Sequence, residues 1–227
     1  MKDAHSVGIP WAFRGHSAGI PRPFRGHFVS ADFAARVIIV TLFTLMTVRL
    51  WESFLVTGRL TGLLLVASEL LVVVLTVFRR AALLVDRTWR ARLLTGLSIA
   101  GPPLVVPIAG AGLLPEAVTV PLSALGLLVV VGGKLSLGRS FGLMPANRGI
   151  VSRGLYRAVR HPIYLGYLVT HAAFVIANPS AWNAAALVAA DAALMLRALE
   201  EERTLLHDPQ YADYRARVRW RVVPGIY

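Results

Sequence analysis

The sequence predicts an all-α, polytopic integral membrane helical bundle of about six transmembrane helices, with both termini on the cytoplasmic side. Three observations carry that expectation. The 227 residues are 56% hydrophobic and only 16% charged, against about 25% charged in an ordinary soluble domain. Their mean hydropathy is +0.62. Apolar runs alternate with arginine-rich loops, the pattern of the positive-inside rule.

The basic excess has a definite placement. Lys+Arg number 24 against 12 Asp+Glu, a net charge of +12. These residues cluster between the apolar runs, where cytoplasmic loops meet anionic headgroups, so the partner they imply is a lipid bilayer and not nucleic acid. The chain has no cysteine, which excludes disulfides, thiolate nucleophiles and thiolate metal sites. All basic residues but Lys2 and Lys134 are arginine, a composition that suits a GC-rich, bacterial genome and an inner-membrane location.

Residues 1–30 form a basic, Gly/Pro-rich arm containing an echo, "GIPWAFRGH" (8–16) and "GIPRPFRGH" (19–27). Two copies do not build a repeat array; Arg, Trp and Phe suit a membrane-adjacent arm. Residues 31–136 hold four expected spans, at about 32–50, 60–78, 93–111 and 117–137, near the roughly 20 residues that cross a bilayer. Pro102, Pro103 and Pro107 predict a kink in the third. Two shorter runs, about 162–177 and 181–199, are joined only by "NPS" (178–180) and read as a helical hairpin. Arginines crowd the segments after the second, fourth and sixth runs, whereas "GAGLLPEA" (110–117) and "NPS" have none. Arg49 and Arg59, at the edges of the first outer loop, are the exceptions.

Polar residues with chemical potential gather in residues 137–227. In "VRHPIYLG" (159–166), Pro162 marks a helix start. His161 then sits at the cap, where backbone N–H groups favour a carboxylate or phosphate. Arg160 adds charge, Tyr164 a hydroxyl and Gly166 room for close approach. Headgroup contact explains the same residues equally well. In "RALEEERTLL" (197–206), Arg197 and Glu201 share a helix face, and Glu202 points about 100° away. An exposed Arg–Glu pair is worth a few tenths of a kcal/mol. At the end of a membrane helix it is costly unless paired or facing a wet cavity. The hairpin brings 161–164 beside 197–201 on the cytoplasmic side.

The loop 139–160 is rich in Gly and Arg and suits a ligand cover; it has neither GxGxxG nor a P-loop. Tyr211 and Tyr214 in an Arg/Trp-rich tail suggest an interfacial helix. Asp191 and Glu69 are acids within apolar runs, functional by default. His171 reads as a core histidine, with no second His or acid at metal spacing, and no metal is expected.

The order "RGIVSRGLYRAVRHPIYLG", "NPS", "RALEEERTLL" and "YADYRARVRWRVVPGIY" resembles the isoprenylcysteine carboxyl methyltransferase family of membrane enzymes, over roughly residues 137–227. Phospholipid N-methyltransferases resemble it more distantly. The resemblance implies S-adenosylmethionine as methyl donor and a lipophilic acceptor, most simply a prenylcysteine carboxylate. It implies donor contacts from His161, Pro162, Ile163 and Tyr164, from Tyr156, and from Arg148, Gly149, Ile150 and Val151. Glu201 would bind the donor and Arg197 would orient the acceptor, the two catalytic positions. Gly142 and Arg148 stand where other residues are common in that family, a departure that bears on the acceptor. A phospholipid or small-lipid acceptor, or a non-catalytic scaffold of the same fold, are the alternatives.

Overall fold

The computed structural model describes residues 25–67, 70, 84–86, 88–108, 110, 112–142 and 145–227. Residues 1–24 of the arm, which hold all but the last three residues of the echo, lie outside the described residues, as do Glu69 and most of the second expected span; residues 25–30 of the arm are helical. The chain divides into two units, Met1–Val37 and Ile38–Tyr227.

The described chain is mostly helical. Helix α1 runs Arg25–Thr57; residues 60–67 are also helical. Then come α2 (Trp89–Leu104), α3 (Glu116–Leu137), α4 (Pro162–Ala177), α5 (Ala181–Leu205) and α6 (Pro209–Arg217). A two-residue antiparallel pair, β1 (Leu84–Val85) with β2 (Ala146–Asn147), ties the 138–161 loop to the segment before α2. Among the described residues, α3 and α5 are long and apolar enough to cross a membrane, and α4 is a shorter apolar helix.

The third expected span differs. Pro102 and Pro103 lie at the end of α2, which stops at Leu104, so the prolines terminate the helix and do not kink it. The extended chain that follows needs partners for its backbone groups, since irregular backbone among apolar helices is tolerated only when satisfied. Asn183 accepts from the Val106 N–H at 2.9 Å and donates to the Val106 carbonyl at 2.8 Å, and Asn178 accepts from Ile108 N–H at 3.1 Å. The exceptional arginines do similar work. Arg49 donates to the Pro103 carbonyl, and Arg59 donates to the carbonyls of Ile108 and Ala177 at 2.9 and 3.1 Å. Their charges are committed to exposed carbonyls at element ends, which is why they sit where the loop-charge pattern disfavours them.

Each arm of the α4–α5 hairpin packs its main face on a different helix: α4 on α3, and α5 on α2. Small residues set the spacing, as in other apolar helix pairs. A Cβ at Gly126 of α3 would lie 2.8 Å from the Thr170 nitrogen, and one at Gly166 of α4 would lie 2.7 Å from the Gly126 carbonyl. A Cβ at Gly101 of α2 would lie 2.3 Å from the Ala190 Cβ of α5. These close approaches fix the two arms independently, so the polar ends of α4 and α5 face one another across a space.

Gly126→Val is therefore expected to lower stability by about 1–3 kcal/mol through overpacking, read as a fall in melting temperature of the detergent-purified protein. Asn183→Ala is expected to cost about 1–3 kcal/mol by leaving backbone groups of Val106 unpaired.

Candidate active site across the helical hairpin

His161 caps α4, with Pro162 in its first turn. Tyr164 and Leu165 both donate their N–H to the His161 carbonyl, at 3.1 and 3.2 Å. The helix start thus satisfies most of its own donors, and the polarity of the site comes from side chains. Tyr164 Oη donates to Glu201 Oε1 at 2.6 Å. Arg197 donates to the same oxygen through Nε at 3.1 Å and Nη2 at 2.9 Å, and its guanidinium lies over the Tyr164 ring, 5.6 Å from the centroid. His161 Nδ1 is 3.6 Å from Glu201 Oε2, and its ring stacks on Tyr164 at 5.1 Å. Arg197 is 6% exposed, so its charge is viable there only because Glu201 faces it.

The neighbouring acid has a separate task. Glu202 Oε1 accepts from Arg160 Nε at 2.9 Å and Arg221 Nε at 3.0 Å, and lies 3.3 Å from His161 Nε2. Arg160 also donates to the carbonyls of Val218 and Arg219 at 2.9 and 2.8 Å. Arg160 is buried, at 8% exposure, so headgroup contact does not account for it. It and Glu202 hold the C-terminal tail against the α4 cap. The N–H groups of Arg160 and His161 complete that junction, donating to the carbonyls of Trp220 and Arg221 at 2.9 and 2.8 Å.

The tail helix docks one face on the protein. Tyr211 and Tyr214 on α6 are 2% and 3% exposed and pack with Tyr156, Val218, Ile150 and Val151. Tyr214 Oη donates to the Tyr156 carbonyl at 2.8 Å. Burial pushes the Tyr156, Tyr211 and Tyr214 hydroxyls above their usual range, so they stay neutral near physiological pH. The tyrosine i, i+3 spacing signalled an apolar face; it gave no hint that the face docks on the protein.

Two cavities meet at this polar cluster. The first, about 90 Å³, is walled by His161, Ile163, Tyr164, Arg197 and Glu201 and continues along Tyr167, Leu194 and Pro102 to His171. The second, about 100 Å³, is walled by Arg148, Gly149, Ile150, Val151 and Tyr211. Both include Leu137, Gly142, Tyr156, His161 and Glu201. A wider cleft of about 520 Å³ continues the second along Arg148–Val151 and Arg153. The structure thus places nine of the ten sequence-predicted donor positions and both predicted catalytic positions on the walls of these two adjoining cavities. Pro162 is the exception: it is buried beside Gly133, away from these walls.

Gly142 and Arg148, the two positions that depart from the family pattern, lie side by side: a Cβ at Gly142 would lie 2.2 Å from Arg148 Nη1, the mobile end of that side chain. His171 is not a solitary core histidine: its Nδ1 lies 2.6 Å from Asp191 Oδ1. Among the described residues no group of three or more His, Asp or Glu is arranged to hold a metal ion.

A comparison with known families bears on the class of chemistry. Residues 115–209 match the phospholipid methyltransferase family. That family covers isoprenylcysteine carboxyl methyltransferases and phospholipid N-methyltransferase-like membrane enzymes. The match implies a membrane methyltransferase that uses a lipophilic substrate and S-adenosylmethionine. It spans α3, the 138–161 loop, the hairpin and the junction with α6, so both cavities lie mostly within it. No curated protein matches the chain.

Glu202→Gln is expected to lower stability by about 3–5 kcal/mol, because it leaves buried cations without their counter-charge. Tyr214→Phe is expected to cost about 1 kcal/mol, the net value of one hydrogen bond. Melting curves of both variants in detergent check the ranking.

Proposed function

We propose that the protein is an integral membrane methyltransferase that passes a methyl group from S-adenosylmethionine to a lipophilic acceptor, with an isoprenylcysteine-type carboxylate as the acceptor class. The observation that carries this reading is the Arg197–Glu201–Tyr164 cluster: all three side chains line the first cavity, and Glu201 lines the second as well.

The side chains present fit the donor. When bound, S-adenosylmethionine supplies an electrophilic methyl group on a cationic sulfonium. Glu201 and the face of Tyr156 suit a cation, and Arg148 in the second cavity suits the carboxylate of an amino-acid end. His161, Ile163, Gly149, Ile150 and Val151 complete the walls. Arg197 is then the acceptor-orienting group. Nε and Nη2 are engaged by Glu201, while Nη1 lies 3.5 Å from Ser98 Oγ, another cavity residue, and can hold a carboxylate oxygen.

A carboxylate needs no proton removed before it accepts a methyl group. Positioning and exclusion of water then supply most of the rate. In this reading six spans place both termini, the hairpin's open end and the loop on the cytoplasmic side, where a soluble donor has access. The match to the phospholipid methyltransferase family favours a second acceptor class, a phospholipid amine.

Calorimetry separates the roles. Glu201→Ala is expected to lose S-adenosylmethionine binding while keeping its helical circular dichroism. Arg197→Ala is expected to keep donor binding and raise the acceptor KM by about tenfold or more, the loss of a charge-assisted hydrogen bond. Full methyl transfer by both variants overturns the assignment.

A further inference from the structure

The inner end of the apolar cavity carries a polar pair that methyl transfer as described above does not use. His171 lies on α4 at i+7 from Tyr164, and both side chains wall the first cavity. Asp191 lies on α5 six residues before Arg197. Both spacings put the pair about 9–10 Å along the helices from the Tyr164–Arg197 cluster, at 1.5 Å per residue. The two helices thus agree on the depth.

His171 is 3% exposed, and its Nδ1 is taken by Asp191 at 2.6 Å. Its Nε2 is buried with no hydrogen-bond partner. A carboxylate on Nδ1 fixes the ring proton there, so Nε2 presents a lone pair. An orphaned acceptor at the inner end of an apolar cavity costs free energy, and the cost is removed when a ligand brings a donor to it. A clasp between α4 and α5 explains the Nδ1 contact; it leaves Nε2 unexplained.

We infer that the His171–Asp191 pair is an acceptor-recognition subsite, in which Nε2 takes a hydrogen bond from a hydroxyl on the lipid about 10 Å from the atom that receives the methyl group. An extended chain advances about 1.2 Å per bond, so the hydroxyl lies about eight bonds from that atom. This rests on the methyltransferase reading and moves its acceptor away from a prenyl chain: a pure hydrocarbon tail leaves Nε2 unpaired, and a lipid that carries a hydroxyl at that depth satisfies it. The hydroxyl belongs to a hydroxylated lipid acid or to the glycerol of a lysophospholipid, and the two sources are separable.

The test measures transfer of labelled methyl from S-adenosylmethionine to two matched pairs in detergent. One pair is 7-hydroxyoctadecanoic acid, whose hydroxyl stands eight bonds from the carboxylate oxygen, and octadecanoic acid. The other is lysophosphatidylethanolamine and its diacyl counterpart, in which the hydroxyl is esterified. In the pair that is methylated, the hydroxyl-bearing member is expected to have about a tenfold higher kcat/KM, the worth of one hydrogen bond. His171→Phe is expected to lower that member to the level of its partner while donor binding by calorimetry stays unchanged. Equal rates within the methylated pair overturn the subsite, whether or not the variant folds, and so does a preference that survives in His171→Phe. Donor binding with transfer to neither pair overturns it too. Failure of the folded wild-type protein to bind S-adenosylmethionine removes the methyltransferase reading itself.

Discussion

The hydrogen bond from Tyr164 to Glu201 joins the first turn of one apolar helix to the last turns of the next. Glu201 also neutralises Arg197, so one carboxylate oxygen carries two contacts. A buried guanidinium and a buried carboxylate are each costly alone among apolar helices, and together they form a local polar island. The island exists because the three-residue turn 178–180 brings the ends together. It stays open because each arm of the hairpin packs on a different partner, held at distances that only Gly126, Gly166 and Gly101 permit.

Two adjacent acids divide the work around that island. Glu201 faces the cavities and Glu202, one residue on, faces the C-terminal tail. The roughly 100° between successive helix positions makes this division possible. His161 stands between them, with Nδ1 toward Glu201 and Nε2 toward Glu202. The tail is therefore part of the site's scaffold: Arg160 and Arg221 converge on Glu202, and Tyr214 braces Tyr156 in the cavity wall.

Much of this was legible in the chain. The hairpin's first arm and turn, the Pro162 helix start and the i, i+4 Arg197–Glu201 pair follow from local rules and stand where the residues put them, whereas the second arm runs on to Leu205, past the apolar run that ends near 199. What was not legible depended on long-range partners. Arg160 and Glu202 are 42 positions apart, and nothing in local spacing pairs them. Asp191 was visible as an acid in an apolar run and His171 as a lone imidazole; their meeting required the hairpin's rotation as well as its turn. The α2 prolines read as a kink because Asn178 and Asn183, which satisfy the chain after its early end, lie about 70 residues on. Tail aromatics and arginines read as a membrane surface because docking on protein and docking on headgroups demand similar residues.

The central claim is that one donor site is built jointly by the 145–164 segment and the end of α5. Ultraviolet photolabelling of the detergent-purified protein with methyl-labelled S-adenosylmethionine, followed by peptide mapping, tests it most directly. The account predicts saturable label, displaced by unlabelled donor, in peptides covering Arg148–Tyr164 and Arg197–Glu201. Saturable label confined to other segments, or none in folded protein, would contradict it.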